Sequence, residues 1–418
     1  MDLLINLVPL IIVVALLFMK KHMLVAGLFG GLAAILIGGM NLSDVSGMFV
    51  GGISNMLGIT VPILYAASAA MVSQAGSIEA LVALFSKSLK GKIAVLAGFI
   101  VLIQGFATYM AGMGAGNTMV TAPLVAAAVG AVPEVIAAMA IISAVGFTTS
   151  PASTETILAA ESAGVDVAVH AGNMMPFTVV FYLLAFGLAV YGVKKRGALF
   201  AGKDAKKEED LQDATTGQLL KRAFPAIALL LMVVGGSKIN GLIGFSLFNP
   251  ATTVILTAVL TVLLTKMNSD ETSEALIDGS RFILTTMFSV GIFLSFINMI
   301  AALGTFEQIA GIARNAPESI ILPVAMIIAF LIAIPSGAFT AGVLTLILPT
   351  LSALGLPSEA MGFVAIATGL GTQISPVQIN VAALAKGFDS DIMGVIRMNF
   401  KYVIGAMVLL TAMAVIFV

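Results

Sequence analysis

The chain has no cysteine and no tryptophan, only two histidines, and only 10% charged residues in a length of 418. Without cysteine there can be no disulfide, no thiolate nucleophile and no thiolate metal ligand. His22 and His170 stand too far apart in sequence to suggest a histidine-based metal site. With 20 basic residues against 21 acidic ones, no basic patch with interleaved aromatics forms, so nucleic acid is not an expected partner. No nucleophile, base and acid set of an enzyme is recognisable either, and no cofactor is expected. Lacking tryptophan, the chain must anchor at a membrane interface through phenylalanine and its five tyrosines.

What is abundant is apolar sequence. At 60% hydrophobic residues there are too few polar groups to cover a soluble globule of this length. The runs Leu3–Phe18, Met23–Gly38, Phe177–Val193, Ala223–Val234, Thr252–Thr265 and Val403–Val418 approach the length a helix needs to cross a bilayer. The expectation is an all-α, multi-pass integral membrane protein of a bacterial inner membrane. No Ala-x-Ala cleavage site follows the first run, so it reads as a retained helix.

The sequence also repeats itself. Gly76-Ser77-Ile78-Glu79 returns as Gly304-Thr305-Phe306-Glu307, and Ser150-Pro151-Ala152-Ser153-Thr154-Glu155 as Ser375-Pro376-Val377-Gln378-Ile379-Asn380. Pro123 and Pro349, Pro133 and Pro357, and Gly146 and Gly371 keep the same register. Two halves are therefore expected, 1–193 and 223–418, joined by a charged cytoplasmic linker at 194–222. Within the first half the pattern predicts helices at about 3–19, 23–41 and 47–75, and an amphipathic arm at 77–91. A hairpin follows at 92–130, then a helix at 133–163 and another at 174–193. The second half predicts helices at 223–239, 248–266 and 275–303, an arm at 305–317, a hairpin at 318–350, and helices at 357–386 and 395–418.

Two devices interrupt these helices at membrane depth. Gly112, Gly114 and Gly116 alternate in the first hairpin and cannot sustain a stable helix, so the chain is expected to turn back there. Ser150-Pro151 splits the helix at 133–163, because proline lacks an amide donor and disfavours helical geometry in the residue before it. Backbone freed in this way must be satisfied by protein or by a water-lined cavity. If each hairpin re-enters without crossing, each half has five spans and the halves take opposite orientations. Lysine and arginine agree with that parity. Placing 20–21, 87–92, the 194–222 loop, 266–281 and 386–401 in the cytoplasm leaves only Lys238 and Arg314 outside, with both termini outside.

Polar groups at these interruptions are the candidate site. Asn117, Thr118, Ser150, Ser153, Thr154, Ser336, Thr340, Ser375, Gln378 and Asn380 are expected to bind substrate. Asn117, Thr149, Ser336, Thr340 and Thr372 are the candidate Na⁺ ligands. Hydroxyls, amides and freed carbonyls suit Na⁺, and half-helix N-termini suit an anion. Glu155 is the one ionisable group expected inside, and a carboxylate within the membrane is a functional hypothesis by default. Thr121, Thr148 and Thr149 also read as hydroxyls bonded to their own preceding turn. Ser77/Glu79 and Thr305/Glu307 read as helix caps, and Glu134 and Glu359 as first-turn acids at an interface.

Paired halves with a glycine-broken hairpin and a proline-broken helix, joined by a basic loop, resemble the ion transporter superfamily. That group includes the divalent-anion/sodium symporters, citrate carriers, gluconate permeases and anaerobic dicarboxylate carriers. In the symporter branch the hairpin tip reads Ser-Asn-Thr, and Gly116-Asn117-Thr118 matches two of those positions; the second half offers Ser336-Gly337 and Thr340 instead. The resemblance implies a homodimer that works by an elevator movement and carries a small organic anion such as a carboxylate with Na⁺ or H⁺. No Lys, Arg or His falls in the broken segments, so an anion would rely on helix dipoles, hydroxyls, amides and a co-bound cation. Three classes stay open: cation-coupled anion symport, Na⁺/H⁺ exchange through Glu155, and a membrane component without transport.

Overall fold

The computed structural model describes residues 2–19, 21–57, 60–88, 92–112, 114–151, 153–197, 214–314, 316–317, 320–337 and 340–418. Among these residues the protein is all-helical, with no β-strand. The first half runs α1 Asp2–Phe18, α2 Met23–Gly38, α3 Leu42–Leu57, α4 Thr60–Gln74, α5 Ser77–Ser88, α6 Ile93–Ala111, α7 Ala115–Val129, α8 Pro133–Thr149, α9 Thr154–Ala163 and α10 Val167–Arg196. The second runs α11 Thr216–Ile243, α12 Pro250–Leu264, α13 Ser269–Ala302, α14 Thr305–Arg314, α15 Ile321–Ser336, α16 Thr340–Ala353, α17 Ser358–Thr372, α18 Ile379–Gly387 and α19 Ile392–Phe417.

Local chemistry sets many of these boundaries. Pro133 occupies the first turn of α8, where its missing amide costs nothing, and Asp166 accepts from the Ala168 amide to start α10. Reciprocal side-chain and backbone bonds between Thr215 and Gln218, Asn249 and Thr252, and Asn268 and Glu271 open α11, α12 and α13. Gly112, with φ of 70°, closes α6 in a left-handed conformation that a side chain would strain.

Among the described residues, three helices are long and apolar enough to cross a membrane: Val167–Arg196, the Thr216–Val233 part of α11, and Ile392–Phe417. α8 and α9 make a fourth when taken together, bent by 48° at the break around Ser150–Ser153. Shorter apolar helices of 10–17 residues make up much of the rest.

Several expected boundaries move. The helix read at 47–75 is two helices, α3 and α4, on either side of residues 58–59, which lie outside the described residues. α10 begins seven residues earlier than expected, because Asp166 caps it and His170 is buried against α17. Residues 194–196 and 216–222 belong to α10 and α11, so the linker is shorter than 194–222, and its residues 198–213 lie outside the described residues. Ser77 and Thr305 do not cap from outside their helices but sit in the first turn, after Gly76 and Gly304. Thr305 instead donates to the Asn6 carbonyl (2.9 Å), tying α14 to α1, and Ser77 Oγ has no partner among the described residues.

The core centres on α8 and α17. Every residue of α8 from Glu134 to Thr149 is buried, and so is α17 from Ala360 to Thr372. A helix apolar all round belongs in such a place, and the two pack on each other where Gly369 faces Thr148. α6, α10, α15 and α19 surround them. Phe177 on α10 stacks on Phe363 of α17, ring centroids 4.7 Å apart.

At one end of this bundle lies the most buried carboxylate. Glu134, 1% exposed, accepts a bidentate pair from Arg196 (2.6 and 2.8 Å) and a third bond from the Tyr402 hydroxyl (2.7 Å). The first-turn acid expected at an interface is thus an interior clamp across α8, α10 and α19.

Candidate functional site

The broken helices place their polar groups in two clusters, each made from both halves. In the first, Asn117 and Thr118 lie in the opening turn of α7, and Asn380 in the opening turn of α18, all buried. The Thr118 hydroxyl donates to Asn380 Oδ1 (2.6 Å), and Asn380 Nδ2 donates to Gln373 Oε1 (2.7 Å). Asn399 on α19 in turn donates to the Gln373 carbonyl (3.2 Å). An uncharged chain of hydrogen bonds therefore crosses from the first half to the second.

The second cluster pairs the opening turns of α9 and α16. Ser153 caps α9: its Oγ accepts from the Thr156 amide (3.2 Å) and lies 2.8 Å from Thr156 Oγ1. Glu155, one residue into that turn beyond Thr154, is partly buried and lies beside Thr340 of α16. Thr154 itself is exposed. Glu155 is thus the carboxylate at a break, while the buried Glu134 lies away from the breaks at the start of α8.

The remaining candidates hold the backbone around the breaks. Ser150 donates to the Tyr109 carbonyl, joining the α8 break to the end of α6. Gln378 caps α18 and its amide donates to the Gly337 carbonyl (3.0 Å) at the end of α15. Ser375 accepts from the Val377 amide (3.2 Å) and packs so closely on Gly337 that any Cβ there would collide with it. Thr149, Ser336 and Thr372, read as Na⁺ ligands, give their protons to Val145, Ile332 and Gly369 carbonyls at 2.8, 2.6 and 2.7 Å. Thr121 and Thr148 likewise bond their own preceding turns. These hydroxyls offer a cation only lone pairs.

Sequence reading missed the centre of the first cluster. Gln104, fully buried on α6, lies between Thr108, Thr118, Thr121 and Ser143, all of them 0% exposed. It is the only amide side chain in an otherwise apolar helix, which was the available signal. His170 was missed as well: its Nδ1 lies 2.6 Å from Ser358 Oγ and its Nε2 has no partner among the described residues.

Chemically, the arrangement offers neutral oxygens and helix N-termini at interrupted backbone. Among the described residues no group of three or more His, Cys, Asp or Glu is able to hold a metal ion. No protein-family model matches the chain, and no curated protein matches it with significant similarity.

Proposed function

We propose that the chain is a secondary active transporter, a cation-coupled symporter of a small organic anion, built from two inverted halves that work as an elevator. One observation carries the reading: the opening turns of four helices meet in two cross-half pairs, α7 with α18 and α9 with α16, beside broken backbone. Helix N-termini attract an anion, and backbone interrupted in a bilayer is tolerated where it lines a cavity.

Two further features support it. Helix starts recur at a constant spacing, Thr340 against Ala115, Ser358 against Pro133, Ile379 against Thr154 and Ile392 against Val167, each 225 residues later. Contacts between the halves join ends that the lysine and arginine pattern assigns to one face. Asn6 meets Leu303 and Thr305, and His170 meets Ser358, at the outer face; Glu134 meets Tyr402 at the inner one. A direct repeat would break that agreement. The linker of residues 194–222 is then cytoplasmic, and the same resemblance implies a homodimer.

Na⁺/H⁺ exchange is the second reading, and the Glu155–Thr340 contact favours it, because a carboxylate at a helix break suits alternating protonation and metal binding. Purified protein in liposomes separates the two. Symport requires that an inward Na⁺ or H⁺ gradient drive accumulation of a carboxylate, and that Glu155→Gln keep that uptake while altering its pH dependence. Exchange requires Na⁺-driven proton movement that Glu155→Gln abolishes, with no carboxylate accumulated by the wild type.

A further inference from the structure

Four oxygens crowd one nitrogen in the first half. Gln104 Nε2 has Thr118 Oγ1 within hydrogen-bond distance, Ser143 Oγ at 2.9 Å, Thr108 Oγ1 at 3.2 Å and the Gly114 carbonyl at 3.4 Å. An amide nitrogen carries two hydrogens, so at least two of these oxygens turn lone pairs toward it without receiving a proton. In a dry interior such a surplus of acceptors is costly. A cation at that point relieves it. The Gln104 amide can also turn over within the same volume, which adds Oε1 to the cage and leaves its NH₂ facing the Thr121 hydroxyl now 2.6 Å from Oε1.

We propose that Gln104, Thr108, Thr118, Ser143 and the Gly114 carbonyl form a monovalent-cation site, with the Gln104 amide closing the cage when the ion is out. The site's role as the coupling site rests on the symporter reading. Its ion class follows from its chemistry: neutral oxygens offset the desolvation of one charge, whereas sites for Ca²⁺ and Mg²⁺ draw on carboxylates. The ligand set differs from the hydroxyls read from sequence, sharing none of Asn117, Thr149, Ser336, Thr340 and Thr372.

The cage belongs to the first half alone. At the 225-residue spacing the second-half counterparts of Gln104, Thr108 and Thr118 are Ala329, Ala333 and Val343, and the counterpart of Ser143 is Thr368. Three aliphatic side chains stand where the cage has an amide and two hydroxyls, so a single site is expected. Thr118 also carries the link to the anion side. Its lone pair faces the cage while its proton goes to Asn380 Oδ1 at the α18 break, so one hydroxyl touches both places.

The test is the thermal midpoint of the purified full-length protein titrated with NaCl, ionic strength held constant with choline chloride and KCl run in parallel. A ligand that binds the folded state raises the midpoint by mass action. Single-site stabilisation is expected. Gln104→Leu should raise the half-saturating Na⁺ concentration about tenfold or more, and Ser143→Ala about three- to tenfold. Gln104→Glu at alkaline pH should lower it about tenfold, a gain that loss of folding cannot mimic. The cage is overturned if wild-type protein shows no Na⁺ or K⁺ stabilisation beyond choline, or if the Na⁺ response survives unchanged in all three variants. Liposomes that accumulate no carboxylate while the Na⁺ response follows the variants leave the cage standing and overturn only the symport reading.

Discussion

An Arg196→Met variant should lose far more stability than a Glu134→Gln variant, although the two remove the same ion pair. Arg196 is the partner that water reaches, with 36% of its side chain exposed against 2% for Glu134. Once the arginine is gone, the carboxylate stays buried with its own backbone amide and the Tyr402 hydroxyl to hold it. Breaking a buried pair in that direction leaves an uncompensated charge and is costly, a cost reduced here by the exposure of the Arg196 side. Glu134→Gln keeps an oxygen for Tyr402 and lets Arg196 turn outward. The double variant Glu134→Leu with Arg196→Met should recover most of the loss, because no charge is then left inside. Apparent thermal midpoints in detergent give the ranking. Equal losses for the two single variants would mean that the clamp works through shape and not through an uncompensated charge.

Gly371→Ala is expected to be the most damaging single-methyl change in the core. Alanine normally gains about 1 kcal/mol over glycine within a helix. At Gly371, however, the new Cβ would run into the Phe330 carbonyl oxygen and meet Ala333 Cβ at 3.0 Å. Both lie on α15, and the first is backbone, which cannot turn aside. Overpacking of this kind costs about 1–3 kcal/mol, and more where a helix must shift, so the net effect is a loss. Gly405→Ala on α19 meets nothing within 4 Å and is the control, expected to be neutral or mildly stabilising. A Gly371→Ala midpoint equal to that of Gly405→Ala would show that α15 and α17 are not in the close contact described.

The interruptions were legible in the sequence because their causes are local. Pro151 and the clustered glycines at 112 and 114 disfavour a continuous helix locally, and the helices end there, at Ser150–Ser153 and Gly112–Gly114, whereas Gly116 lies in the first turn of α7. Partners distant in sequence were not legible. Gln104 sits in an apolar run, and its environment is assembled from Thr118, fourteen residues on, and Ser143, thirty-nine on. Glu134 looked like a surface acid because Arg196, sixty-two residues away, leaves no trace in the local pattern. His170 shortened the expected α10 for a related reason: polar residues near a helix start look like loop until Ser358 of the other half is seen beside them. Hydroxyl roles were readable only as alternatives, since a threonine that bonds its own turn and one that faces an ion share the same sequence.

The opposite orientation of the two halves is the claim on which the transport reading and its coupling depend. The chain has no native cysteine, so single-cysteine variants need no background substitutions. Ser43 and Ser269 are exposed, and each lies in the first turn of the third helix of its half. A membrane-impermeant maleimide applied to intact cells should label Ser43→Cys, whereas Ser269→Cys should label only after the membrane is permeabilised. Labelling of both positions from the same side would contradict the inverted arrangement and the transport reading built on it.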